Sequence, residues 1–317
     1  MTAAAPQVSA PNIFAPYSKD LQPGEHANWI KIYNEIVHMR SLIETPVDRM
    51  GCGSMATSLA NNPAVQDRRV YRFQLLVALM LSSQTKDEVN FAAMTTLHEH
   101  YRAKGYDGLC IEAVLTLSEQ EIEKCIAKVG FHTRKATYIK RACEMLRDNF
   151  GSDVPKTIED VVLLPGVGPK MGHLLLQNGW GVNLGIGVDV HLHRLAQMWG
   201  WVPKSDKPEA TRLALEAWLP REVWADINPL LVGFGQTVCA VKAKNCDVCT
   251  LSNEICKAAN KKLARSELTE QRIAKLSQMR GNLAGLVQLR TQVDKLKANA
   301  LEKLKTKGIV KLKAEQD

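Results

Sequence analysis

Cys239, Cys246, Cys249 and Cys256 follow the spacing C-x6-C-x2-C-x6-C. The x2 pair can hold one corner of a metal site and the two flanking thiols can close it. Four thiolates suit either a zinc ion or an iron–sulfur cluster, and spacing alone leaves both open. Upstream, Leu164-Pro165-Gly166-Val167-Gly168-Pro169-Lys170 forms a Gly/Pro-rich reversal between two stretches of helical periodicity. Its glycines permit positive φ and leave no side chain in the way of a close approach. Backbone N–H groups at the start of the following helix can grip a phosphate oxygen, and Pro169 suits the first helical turn. An ordinary helix–turn–helix connection has the same composition. Lys170 then stands at the start of one helix and Asp189 near the start of a later one. An amine nucleophile must be neutral when it attacks, and desolvation and a positive helix terminus both favour loss of its proton. A carboxylate at a helix N-terminus tends to stay ionised, able to stabilise developing positive charge and to move protons. The plainer roles are a phosphate-binding lysine and an N-capping aspartate.

The elements that must position these residues read as helices. From His26 to about Thr45, Trp29, Ile32, Ile36, Met39 and Leu42 recur at helical spacing. The Gly/Ser/Asn/Pro stretch from Gly51 to Pro63 interrupts this pattern. Helical periodicity then predicts elements over 71–84, 87–103, 118–127 and 134–149, followed by 158–163, 169–179, 189–199, 206–218 and 221–236. Alternating strand patterns are almost absent, so the fold class is all-α, helices packed on helices.

At 317 residues the chain is long enough for about two domains. Its 45% hydrophobic and 23% charged content is that of a soluble globular protein. The longest aliphatic run, Leu75 to Leu81, falls far short of the roughly 20 residues of a membrane span, so no membrane role is expected. The opening MTAAAPQVSAPNIFAPYSKD lacks the charged start and apolar core of a secretory signal, and its lack of arginine weakens a mitochondrial transit reading. Clustered rather than paired cysteines fit a reducing compartment better than a disulfide framework, with Cys52, Cys110, Cys125 and Cys143 scattered elsewhere. The net charge of +8 suits a polyanionic partner such as nucleic acid. Residues 257–317, with 15 Lys and Arg against 6 Asp and Glu, carry that excess. The rest is close to neutral, so any nucleic-acid groove in the body must be a local feature.

Taken together, Leu164 to Lys170, Gly187-Val188-Asp189-Val190-His191 and Cys239 to Cys256 resemble the endonuclease III family of helix–hairpin–helix DNA glycosylases, on the eukaryotic thymine-glycol glycosylase side. The likeness spans roughly residues 30–257. It implies two interleaved helical domains with a DNA groove between them: residues 71–182 as a helical barrel carrying the hairpin, and 25–70 with 183–257 around the cluster. Residues 1–24, rich in Ala, Pro and Ser, are expected to be disordered. Residues 258–317 are expected to form a basic extension, either solvated and partly helical or a short coiled-coil or nucleic-acid-binding appendage.

The resemblance further implies a bifunctional glycosylase and abasic-site lyase that removes oxidised pyrimidines from duplex DNA. Lys170 is its nucleophile toward the deoxyribose C1′ and Asp189 its catalytic carboxylate. It implies a [4Fe–4S] cluster on Cys239, Cys246, Cys249 and Cys256, although the family's usual last interval is x5 where this chain has x6. Leu81-Ser82-Ser83-Gln84-Thr85-Lys86-Asp87 resembles the segment whose glutamine fills the hole left by an extruded base, and Gly130-Phe131-His132 the wedge loop, giving Gln84 and Phe131 those roles. Gly166, Val167 and Gly168 of the hairpin are expected at the DNA backbone, with His191 near the active site and Lys242 and Lys244 as phosphate contacts on an exposed loop. A monomer working in the nucleus, the mitochondrion or both follows from the repair reading. An adenine glycosylase without lyase action would lack Lys170, and a non-catalytic redox or scaffold protein would not need both Lys170 and Asp189.

Overall fold

A computed structural model describes residues 14–21, 26–59, 62 and 66–306. Every regular element among the described residues is helical, and the sole β feature there is an isolated antiparallel bridge between Cys239 and Lys244. The helices build two apolar cores, and the chain enters the second core, leaves it to build the first, and returns.

The first core is organised around the helix Arg68–Ser82. Asp67 caps it by accepting from the N–H groups of Arg69 and Val70. Every residue from Tyr71 to Leu81 is buried, as a helix apolar on most faces requires. Its two buried polar side chains are matched. Gln74 donates to the Leu109 carbonyl at 2.9 Å, and Arg72 forms a two-bond ion pair with Asp153 while stacking on Trp180 at 3.6 Å. Helices Asp87–Ala103, Glu119–Cys125, His132–Asn149 and Pro169–Leu175 surround it. The last of these runs on into one π-helical turn, Leu176–Trp180, a local widening often found beside functional sites.

The second core joins the helix Trp29–Ser41 to Val190–Met198, Pro208–Glu216 and Trp224–Gln236. Near the junction, Arg40 and Asp48 pair at 2.6 Å with both side chains almost wholly excluded from water. Thr45 and Asp48 form a capping box on the helix Pro46–Met50.

Three sequence expectations need correction. The interruption expected from Gly51 to Pro63 contains the helix Cys52–Ser58, and Met55, Ala56 and Leu59 belong to the first core. A helix of seven residues with a Gly and two Ser lacks the length for a visible period. Residues 1–13 and 22–24 of the expected disordered segment lie outside the described residues, but within 14–21 Phe14 and Tyr17 are buried in the second core. The basic extension is not simply solvated. Helices Glu270–Gln278 and Ala284–Thr306 bury Leu276, Leu283, Leu286 and Val287 in the second core. Arg272 pairs with the fully buried Asp247 side chain at 2.7 Å, and Arg290 donates to the carbonyls of Asp247 and Ala264. Beyond that the helix emerges, with Leu296 69% exposed. No described helix is long and apolar enough to cross a membrane.

Leu286 is fully buried although it lies in the basic extension. Leu286→Ala is therefore expected to destabilise the protein by about 2–5 kcal/mol, read by denaturant unfolding. A change below about 0.5 kcal/mol, the size of an ordinary surface substitution, would return the extension to the solvated class.

Candidate active site

The hairpin forms a tight turn closed by the Val167 N–H donating to the Leu164 carbonyl at 3.1 Å. Gly166 takes φ +79°, and a Cβ there would stand 2.5 Å from the Tyr138 ring, so glycine is required on two counts. Gly168 is the N-cap of the helix Pro169–Leu175, with open space where a side chain would be and no side chain capping the terminus. The exposed part of the turn is thus bare backbone. Val167 is buried in the first core, so only its main chain is available to a ligand.

Lys170 follows at the second position of that helix and is exposed. The desolvation expected around an amine nucleophile is therefore not supplied by the protein's own packing at Lys170. Asp189 is 9% exposed and caps the helix Val190–Met198, its Oδ1 accepting from the Leu192 N–H at 2.8 Å. Lys170 belongs to a helix of the first core and Asp189 to one of the second. Both line a single cleft of about 900 Å³ between the cores, and Gln84 and His191 line it too. His191 is titrated downward by burial, against the pull of Asp189, and its Nδ1 has no partner among the described residues.

Three further groups in this cleft were not singled out from the sequence. The Cys52 thiol is pushed up to about 11 by burial, with the Lys170 charge opposing. Asp87, at the start of the helix Asp87–Ala103, is also raised by burial, opposed by a 2.7 Å hydrogen bond from Gln236 and by the Arg280 and Lys170 charges. Arg280 arrives from the C-terminal extension and pairs with Glu88 through two bonds of 2.7 and 3.0 Å. Asp87 opens the helical run read from residue 87, where an acidic side chain suits the first turn, but nothing local in the sequence ties residue 280 to residue 88.

Gln84 and Phe131 sit at the tips of neighbouring loops, and both have left-handed backbones, φ +50° and +58°. Such conformations in non-glycine residues concentrate at functional sites. Phe131 is 54% exposed with Arg134 near its ring, which excludes a core role. It does not line the cleft, whereas Gln84 does.

The four cysteines are gathered at a second place. Cys239, Cys246, Cys249 and Cys256 line one small cavity beneath Trp199 and Phe234. Among the described residues no three potential ligands stand close enough to hold a metal ion. The cavity's donor set nevertheless fits a larger thiolate-bound group. All four cysteines border it, Arg194 directs a guanidinium N–H at Cys239 Sγ (3.8 Å), and the Asn260 N–H donates to Cys246 Sγ (3.4 Å). Burial raises the Cys249 and Cys239 thiols, so thiolates here call for a cationic partner. Lys242 is exposed on the intervening loop, but Lys244 is half-buried, bridges to Cys239 and borders the cysteine cavity. Neither lines the Lys170 cleft.

Comparison with known proteins gives the family. Residues 77–221 match the model for the HhH-GPD superfamily of base excision DNA repair proteins, a span that includes the hairpin, Lys170 and Asp189. The endonuclease III homolog of Schizosaccharomyces pombe is 41% identical over 254 residues, covering 80% of this chain and 68% of that protein. This chain belongs to the endonuclease III family. Endonuclease III homolog 2 of Saccharomyces cerevisiae is 43% identical over 252 residues, 77% of this chain and 66% of that one, so the match spans just under two-thirds of this relative. The structure also superposes on a trapped endonuclease III–DNA covalent intermediate with TM-score 0.55 at 26% identity, covering 69% of this chain and 99% of that one. The all-α, helix–hairpin–helix architecture is that of the family.

The cap role of Asp189 can be separated from its charge. Asp189→Ala is expected to cost about 0.5–2 kcal/mol in unfolding free energy. Asp189→Asn keeps an oxygen for the Leu192 N–H and should stay within about 0.5 kcal/mol of the native protein. Equal losses in both would argue against the cap.

Proposed function

We propose that this endonuclease III family member is a bifunctional DNA glycosylase and abasic-site lyase acting on oxidised pyrimidines in duplex DNA. The observation that carries the reading is that Lys170 and Asp189, held by helices of different cores, open onto one cleft. A duplex seated over that cleft would strip water from the exposed amine and favour its neutral form. Lys170 Nζ then attacks C1′ of the extruded nucleotide and the glycosidic bond breaks, releasing the base. Asp189, capping a helix N-terminus at the cleft, stabilises the developing positive charge on the sugar and helps relay protons. The sugar ring then opens as the C1′–O4′ bond breaks and O4′ takes up a proton, leaving a Schiff base between Nζ and C1′ that acidifies the C2′ proton. Its removal expels the 3′ phosphate in a β-elimination that cuts the strand 3′ to the lesion, and hydrolysis returns the lysine.

Access to C1′ requires the nucleotide to leave the stack. Gln84, lining the cleft from a loop tip, fills the vacated space, and Phe131 opens the stack from the neighbouring loop. The Gly166–Gly168 backbone holds a phosphate, His191 contacts the strand beside Asp189, and Lys242 and Lys244 supply weaker positive charge from the cysteine loop. Cys239, Cys246, Cys249 and Cys256 hold a [4Fe–4S] cluster, which supplies a cross-link between loop and core and a redox-active centre. The protein works as a monomer in the nucleus, with mitochondrial DNA a second target.

Borohydride reduction on an abasic duplex tests the nucleophile. The native protein is expected to form a covalent adduct that disappears in Lys170→Gln, and an undiminished adduct in that variant would overturn the assignment. For the cofactor, purified protein should contain iron and show a broad visible absorbance, both lost in Cys249→Ser. Zinc without iron would refute the cluster.

A further inference from the structure

The loops carrying Gln84 and Phe131 share one anchor. Lys135, on the helix His132–Asn149, is only 5% exposed. Its ammonium donates to the carbonyl oxygens of Leu81 (2.7 Å) and Ser83 (2.6 Å) and reaches Thr85 Oγ1 at 3.4 Å. The carbonyls are at the C-terminal end of the helix Arg68–Ser82 and in the loop after it, where acceptors lack helical partners and favour a cation. Thr85 Oγ1 also accepts from the Gly130 N–H at 3.3 Å, and a Cβ on Gly130 would stand 2.9 Å from the Gln84 carbonyl. The bonds therefore bracket Gln84 on one side and reach the residue before Phe131 on the other.

Two costs need an explanation. Left-handed backbone at a non-glycine residue is strained and persists only where neighbours over-determine it. Both loop tips carry it. A buried ammonium is also costly, and burial draws the Lys135 pKa down to about 8. An apolar side chain would fill the same space without that penalty, so packing alone does not account for a lysine here. Three acceptors that lock two loops together do.

We infer that Lys135 is a positioning residue for base extrusion, holding the Gln84 and Phe131 loops as one rigid unit through Leu81, Ser83 and Thr85. The inference rests on the roles proposed for Gln84 and Phe131. It adds that the two act as a preset pair rather than as independent loops.

The test uses the full-length protein and a duplex with 2-aminopurine next to an oxidised pyrimidine, whose fluorescence rises when the stack opens. Excision is measured on that paired lesion and on the same lesion in a single-nucleotide bulge, where no partner base need be displaced. Lys135→Met is expected to slow stack opening and excision of the paired lesion on the order of tenfold. Excision from the bulge should fall by less than about threefold. Thr85→Val, which removes one acceptor and the link to Gly130, should give the same pattern at smaller amplitude and decides the matter if Lys135→Met fails to fold. Stack opening at the native rate, or equal losses on both substrates, would overturn the inference. Gln84→Ala and Phe131→Ala run alongside. If both open the stack normally, the roles of the two loops fall, and this inference with them. If they are impaired while Lys135→Met and Thr85→Val are not, only the Lys135 inference falls.

Discussion

Two helix N-termini facing one cleft are the arrangement on which the rest of this structure depends. The helix Pro169–Leu175 begins with bare glycine backbone and presents Lys170, while Val190–Met198 begins with Asp189 as its cap. Each helix is seated by its own core, through Leu175 in the first and Leu192 and Leu195 in the second. An amine and a carboxylate on one short loop would tend to pair with each other. Here Asp189 accepts from the Leu192 backbone N–H, and Lys170 is left facing water. Separation by packing keeps both groups available.

The chain path makes this possible. The helix Trp29–Ser41 belongs to the core built mostly by residues after 186, so the first core is inserted between two parts of the second. The cleft is the seam between them. Asp87, Gln236 and Arg280 line it, Gln236 donating to Asp87 and Arg280 pairing with Glu88, the latter pair half-exposed and correspondingly modest in strength. The deeper fastening comes from apolar packing and from the nearly dry Arg40–Asp48 pair, where loss of one partner would strand a buried charge.

The cysteine loop and the C-terminal extension form a second layer of support. Asp247 lies between two ligand candidates, and its buried carboxylate receives Arg272 from the extension while its carbonyl receives Arg290. A segment with a large basic excess is thus fastened by some of its own arginines, and the same segment delivers Arg280 to the cleft. The excess of positive charge serves assembly of the body as well as any attraction toward a polyanion.

Much of the helical order was legible from residue types alone, because 3.6-residue periodicity is a local property and nearly every long helix shows it. The hairpin and the thiolate spacing are short-range patterns too, but Lys170 and Asp189 stood out only through the resemblance to the family, since by themselves a phosphate-binding lysine and an N-capping aspartate read as well. The helix Cys52–Ser58 escaped because seven residues with Met55 as the one large apolar side chain carry no readable period. The packing of Leu276, Leu283 and Leu286 escaped because their helix-like spacing does not say what they face. Only the tertiary structure decided that Asp189 shares a cleft with Lys170, that Arg280 reaches Glu88, and that Lys135 ties the Gln84 loop to the Phe131 loop. Those juxtapositions join residues 19, 192 and about 50 positions apart, fixed by how two cores bury their apolar surface. No local rule of sequence encodes that.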